Sequence, residues 1–192
     1  ASGRANRVLI VDWDVHHGNG TEELTYDNPH IFYVSLHRYD LSKRFFPETG
    51  PPSRVSDGTN LNVAWRVPRM GNAEYAAAFS ELILPLVAEW KPDLILVSCG
   101  LDAADKDPIG DCCLTPEFYS AMTRSLLQAA GSNVPMVVAL EGGYNLDVVG
   151  ECMEAVALAL LDEDMESSVR EKTVVPSPLV CLPVKEDKEN HT

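Results

Sequence analysis

Hydrophobic positions fall into two kinds of run along the chain. Residues 8–11, 31–36, 94–98 and 136–140 are short, nearly continuous stretches of β-branched and apolar side chains, the pattern of strands buried on both faces of a parallel sheet. Between them, apolar positions recur three and four residues apart. Tyr75, Phe79, Leu82, Ile83, Leu86, Val87 and Trp90 form one stripe, which predicts a helix facing a core. Pro85 falls inside that stripe and predicts a kink within one continuing helix rather than two helices. A second helix has Thr115 as N-cap, Pro116 and Glu117 in its first turn and Gly131 just past its end. A third, over residues 146–161, packs through Val149, Met153, Val156 and Leu160. The predicted order is strand, strand, helix, strand, helix, strand, helix, an α/β layered fold.

Two stretches break the regularity. Residues 40–60, rich in Pro, Gly and Ser, are too long for a plain connector and predict a functional surface loop. Residues 162–192 are acidic, then Pro-containing, then charged, and are expected to be a disordered tail. No internal repeat is visible.

Composition narrows the class. With 192 residues, 45% hydrophobic and 23% charged, the chain is expected to be one domain or a large piece of one. Fifteen Lys and Arg against 29 Asp and Glu leave a net charge of −14, which repels phosphate backbones and anionic membranes and attracts a basic peptide. Direct nucleic-acid and membrane partners are therefore not expected. Cys99, Cys112, Cys113, Cys152 and Cys181 are odd in number and lack paired metal-ribbon spacing, as in a reducing compartment. The first apolar run is cut short by Asp12, too early for a signal peptide or membrane span, so a soluble intracellular protein is expected. The chain starts at Ala1 rather than Met, and the natural chain is expected to extend upstream.

In open α/β sheets ligands bind outside the carboxyl ends of the strands. Here those ends carry Asp12-Trp13-Asp14-Val15-His16-His17-Gly18-Asn19-Gly20, Cys99-Gly100-Leu101-Asp102 and Glu141-Gly142-Gly143-Tyr144-Asn145. Asp14 and His16, two apart in an extended segment, point the same way, and Asp102 approaches from a neighbouring strand. Two carboxylates and one imidazole leave a fourth position open, as in catalytic zinc sites. An isolated Asp-x-His is usually a turn cap beside a satisfied histidine; three converging strand ends favour a metal.

The run from Asp12 to Thr21 resembles the signature of zinc-dependent histone deacetylases of class II type. Tyr33-Val34-Ser35-Leu36-His37-Arg38-Tyr39, Phe45-Phe46-Pro47, Asn62-Val63-Ala64-Trp65, Asp102 with Asp107-Pro108, and Glu141 to Asn145 follow in the family's order. The resemblance implies a three-layer, mainly parallel arginase/deacetylase-like fold, with residues 1–161 as the C-terminal portion of the catalytic domain. It implies zinc on Asp14, His16 and Asp102, and Tyr144 as the donor to the oxyanion of an acetyl-lysine amide. Phe46 would wall the acyl-lysine channel, Ile109 its rim, and Gly142 and Gly143 would let the backbone approach the substrate. Phe45 reads as ordinary loop anchoring. The apolar Ile109 stands where a polyamine-selective relative carries an acidic gate, which argues against polyamines. A structural potassium ion would lie on Asp12, Asp14, His16, Ser35 and Leu36, largely through main-chain oxygens. Asp12, His17 and Asn19 would support the site from behind; His30, His37 and His191 have no constellation of their own. The resemblance also implies acetylated lysine peptides or histone tails as substrates, corepressor-type protein partners, a role in chromatin and transcription regulation, and residence in nucleus, cytoplasm or both.

Two departures qualify it. In the family an adjacent histidine pair, upstream of this region, handles the protons of catalysis. The first histidine here is His16, so Asp12 and Asn19, which resemble the residues that orient such a pair, have none to orient. The far end, Val174-Val175-Pro176-Ser177-Pro178 and a charged tail, replaces the family's closing helix. The expectation is a deacetylase portion incomplete by itself, or alternatively an inactive metal-binding module that interacts with partners.

Overall fold

The computed structural model describes residues 5–56 and 58–161. The expected disordered tail, Cys181 and His191 lie outside the described residues. Five strands, β1 (Val8–Asp12), β2 (Ile31–Arg38), β3 (Asn60–Trp65), β4 (Leu94–Cys99) and β5 (Met136–Leu140), form one sheet in the order β3-β2-β1-β4-β5. Every pairing is parallel. Among the described residues five α-helices accompany them: α1 (Asn19–Thr25), α2 (Asn72–Ala78), α3 (Leu84–Trp90), α4 (Pro116–Ala130) and α5 (Leu146–Leu161). The α/β parallel architecture expected from the hydrophobic runs is thus the one observed.

The central strands form as they do because their apolar residues leave water on both sides. Leu9, Val11, Val34, Leu36, Ile95 and Val97 are almost wholly buried, each contributing roughly 1.5–3 kcal/mol of transfer free energy. Helix α4 begins where predicted. Thr115 is extended, Pro116 opens the helix, and Gly131 at φ +86° closes it. Thr115 caps without a side-chain bond to the helix; its amide instead donates to Asn72 Oδ1 at 3.1 Å, tying α4 to the start of α2. Helix α3 packs on α4 and α4 on α5.

The predicted kink at Pro85 takes another form. Between α2 and α3 the chain makes one π-helical turn, Phe79–Ile83, in which the Leu84 amide donates to Phe79 O. A wider turn accommodates a residue with no N–H of its own. It also resets the stripe: Tyr75, Phe79, Ile83 and Val87 are buried, while Leu82 is 42% exposed.

Two elements depart from the expected order. Helix α1 and strand β3 are additions to that order. Helix α1 is only seven residues long, has no side-chain cap and leaves Leu24 exposed, so no apolar stripe marks it. Strand β3 buries polar Asn60 and Asn62, which reverses the usual alternation. The long loop therefore ends at the first residue of β3. Burial on both faces also fails at β5, an edge strand whose Val137 and Leu140 are each 54% exposed. Leu146, Leu158 and Leu161 on α5 are exposed as well. Among the described residues no helix is long and apolar enough to cross a membrane.

Candidate metal centre

The order of the sheet reverses at β1, which has β2 on one side and β4 on the other. This is the switch point at which open α/β sheets bind ligands. Asp14 follows β1, Asp102 follows β4, and the Gly142–Tyr144 turn follows β5. One imidazole and two carboxylates converge there. Donor atoms of Asp14, His16 and Asp102 all lie within 4.8 Å of one another.

The convergence of Asp14 and His16 does not come from strand alternation. The strand ends at Asp12, and residues 14–16 form a bend. Asp12 Oδ1 accepts from the Asp14 amide at 3.1 Å, and Asp14 Oδ1 from the His16 amide at 2.8 Å. These carboxylate-to-backbone turns curl the chain so that both side chains face β4. Asp102 is fully buried, and its Oδ1 accepts from the Val15 amide at 2.8 Å, leaving Oδ2 for the centre. His16 Nδ1 sits 3.0 Å from both Asp14 Oδ1 and Asp102 Oδ2. Gly142 donates its amide to Asp14 Oδ2 at 3.1 Å. A Cβ at Gly142 would meet Asp102 Oδ2 and lie 2.6 Å from Asp14 Oδ2, so only glycine leaves the carboxylates free to face inward.

Electrostatics match a cation site. Burial alone would lower the His16 pKa, but hydrogen bonds to Asp102 and Asp14, with their charges, push it up to about 9. Burial raises the Asp102 carboxyl above its ordinary range. For Asp14 the same burial is outweighed by hydrogen bonds from His16, and the net shift is downward. Burial drives Asp12 well up, countered in part by the Tyr33 hydroxyl, which donates to Asp12 Oδ2 at 2.8 Å. A proton on Nδ1 thus occupies the point between two carboxylates that a dication would take. The donor set, two carboxylate oxygens and an imidazole nitrogen with an open side, fits zinc.

A cleft of about 340 Å³ opens over this centre, lined by Asp14, His16, Phe46, Glu141, Gly142 and Tyr144, with Asp12, His17 and Gly18 also on its border. A second cleft, of about 390 Å³, lies by Leu127, Met136 and Leu160 and contains none of the ligating residues. Phe46 is 74% exposed and Tyr144 52% exposed at the mouth. Burial and the charges of Asp102, Asp14 and Asp107 raise the Tyr144 pKa, which keeps the phenol a proton donor. Phe45 does more than anchor its loop. Its ring stacks on His16 at 5.1 Å between centroids and 13° between planes, and the Arg38 guanidinium lies 4.2 Å from its centroid.

Other expected site residues stand apart. Ile109, 44% exposed, and Gly143 are outside the lining of the cleft. Gly143 is required by its backbone, at φ +135° with Val149 in the way of any Cβ. Asn19 is exposed at the start of α1. His17 borders the cleft but its ring nitrogens face away, Nδ1 to Thr49 Oγ1 at 2.8 Å and Nε2 toward Glu22 at 3.5 Å. Ser35 Oγ lies 2.9 Å from His37 Nδ1, and His37 Nε2 donates to Gly50 O at 2.8 Å. Burial lowers the His37 pKa to about 3, so it is neutral. His37 thus pins the long loop to β2. Glu22 belongs to no motif in the sequence. It is buried, pairs with Arg54, and accepts from Asn60 Nδ2 at 2.9 Å and Asn62 Nδ2 at 2.7 Å. The only hint was a pair of asparagines at alternate strand positions.

A sequence profile described as the histone deacetylase domain matches residues 1–160. The chain is 46% identical over 164 residues to histone deacetylase clr3 of Schizosaccharomyces pombe, covering 82% of this chain and 23% of that protein. It is 42% identical over 164 residues to histone deacetylase HDA1 of Saccharomyces cerevisiae, with the same coverage of 82% and 23%. Among solved structures, that of the histone deacetylase Clr3 superposes with a TM-score of 0.78 at 44% identity, over 82% of this chain and 27% of that one. The crystal structure of the HDA15 HD domain gives 0.77 at 42% identity, over 83% and 46%. The chain therefore spans about a quarter of the length of these curated relatives.

Proposed function

We propose, from the premise that the chain belongs to the histone deacetylase family, that it carries the zinc-binding and oxyanion-stabilising half of a protein lysine deacetylase. The observation that supports this most is the convergence of Asp14, His16 and Asp102 beneath a cleft bordered by Tyr144 and Phe46. The reaction is hydrolysis: water adds to the amide carbonyl of acetyl-lysine, the carbon–nitrogen bond breaks, and acetate and the lysine amine leave. Zinc, when bound, supplies a Lewis acid that polarises that carbonyl and makes water a better nucleophile.

The chain's own residues supply the ligands, the oxyanion donor and a wall for the substrate. Asp14, His16 and Asp102 would hold the metal, two carboxylates damping its acidity relative to an all-histidine site. Tyr144 donates its hydroxyl proton in a hydrogen bond to the amide oxygen as negative charge gathers there, a stabilisation absent from the ground state. Phe46 offers an apolar wall to the methylenes of the lysine stem. A structural potassium ion would be held by Asp12, Asp14, His16, Ser35 and Leu36, largely through main-chain oxygens; Asp12 and Ser35 lie in register on adjacent strands. The net charge of −14 suits basic segments such as histone tails. Protonation of the leaving amine needs a general acid. His17 is turned to Thr49 and Glu22, so a histidine outside this chain supplies it.

That orientation of His17 also favours a second reading, a metal-binding unit without catalysis of its own. One comparison separates the two. Elemental analysis after dialysis should find one zinc per complete protein and its loss in Asp102→Ala, and the zinc-loaded protein should release acetate from acetyl-lysine peptides. Undiminished zinc in Asp102→Ala would refute the site. Full zinc without acetate release would leave the binding unit.

A further inference from the structure

Asp107 belongs to the Asp107-Pro108 pair of the loop after β4 and has no place among the groups that touch metal or substrate. It is nonetheless buried, 9% exposed, and its carboxylate spans two loops. Oδ1 accepts from the amides of Ile109 at 2.8 Å and Gly110 at 3.0 Å. Oδ2 accepts from the amide of Tyr144 at 2.8 Å, thirty-seven residues away in sequence. A second tie runs parallel to it, from Asn145 Nδ2 to Lys106 O at 3.1 Å.

Tyr144 depends on that attachment. Its ring is half exposed, and its hydroxyl makes no hydrogen bond among the described residues. The hydroxyl is therefore placed by the backbone from which the side chain springs. On the other side of the turn, Gly142 is held twice, its amide donating to Asp14 Oδ2 and its carbonyl accepting from Leu101 N at 2.8 Å. Between that anchor and α5, the Tyr144 amide has Asp107 as its acceptor. A small rotation at this point is magnified at the far end of the phenol.

We infer that Asp107 is a positioning residue for Tyr144, setting where the oxyanion donor stands by accepting its backbone N–H while fixing its own loop with its other oxygen. The inference rests on the reading of Tyr144 as that donor. Both oxygens are committed to N–H groups, so a carboxamide cannot replace the carboxylate: whichever way Asn is turned, its NH₂ faces a backbone donor.

The test is a double-mutant cycle in the complete zinc-loaded protein, with Asp107→Asn, Tyr144→Phe and the pair, on an acetyl-lysine peptide. Tyr144→Phe should lower kcat by about two to three orders of magnitude. Asp107→Asn should lower kcat about ten- to a hundredfold, the scale of a misplaced catalytic group, with KM and zinc content nearly unchanged. In the Tyr144→Phe background it should cost less than about twofold more, because nothing remains to position. Amide hydrogen exchange at Tyr144 should quicken in Asp107→Asn without any loss of zinc. Equal kcat losses from Asp107→Asn in both backgrounds, or unchanged Tyr144 exchange, would overturn the positioning role alone. Turnover untouched by Tyr144→Phe would overturn the donor reading and the positioning role with it. Should Asp107→Asn fail to fold, Asp107→Glu keeps the charge but shifts it by one methylene, and its kcat loss must likewise vanish in the Tyr144→Phe background.

Discussion

Lowering the pH from 8 to 6 should weaken zinc binding about a hundredfold. The imidazole of His16 must lose its Nδ1 proton before it can ligate, and Nδ1 lies 3.0 Å from both Asp14 Oδ1 and Asp102 Oδ2. With the His16 pKa pushed up to about 9, the ring is protonated throughout this range and the apparent affinity falls about tenfold per pH unit. An imidazole with an ordinary pKa of about 6.5 would give only a roughly fourfold change over the same interval. The assay is competition against a chelator of known pH dependence, with proton release followed in weak buffer. Close to one proton per zinc should appear at pH 7.

The metal-free chain should behave in the opposite sense. A folded pKa above the unfolded one stabilises the fold fully below about pH 6.5 and ceases to do so as pH rises through about 9. The full shift corresponds to about 3 kcal/mol, which partial solvent screening of His16, with its side chain 19% exposed, reduces to about 2. Denaturant midpoints without metal should fall between pH 6.5 and 9, and with saturating zinc they should not. A fourfold or smaller change in affinity, or no proton released, would refute the account of His16.

Two further outcomes follow from the geometry. Gly142→Ala should cut zinc affinity by at least about tenfold, since the added methyl lands on the inward oxygens of Asp102 and Asp14; a chelator titration with undiminished affinity would show that these carboxylates do not face the metal. Ala1 to Thr192 alone should be about two to four orders of magnitude slower on acetyl-lysine peptides than a longer chain that includes the family's histidine pair, the usual worth of general acid–base catalysis. Equal rates at equal zinc occupancy would mean that the proton carrier lies within these residues.

Much of this protein was legible one residue at a time. The strands β1, β2, β4 and β5 and the helices α4 and α5 announce themselves because burial and capping act on neighbours in sequence: β-branched runs for strands, Thr115, Pro116 and Gly131 for the ends of α4. The site was legible at one remove, since a parallel sheet delivers its strand ends to one edge, and Asp14, His16, Asp102 and Tyr144 stand at such ends. What the tertiary structure alone decided depends on groups far apart in the chain. Asn60 and Asn62 can be buried in β3 because Glu22 accepts their amide protons from 38 and 40 residues away. Phe45 stacks on His16 because the loop from β2 folds back over the bend after β1. Asp107 meets the Tyr144 amide only once β4 and β5 lie side by side. A buried polar atom takes whatever partner the fold brings to it, and the free energy of leaving it unpaired, about 1–3 kcal/mol for each group, is what makes those distant partners as binding as any local pattern.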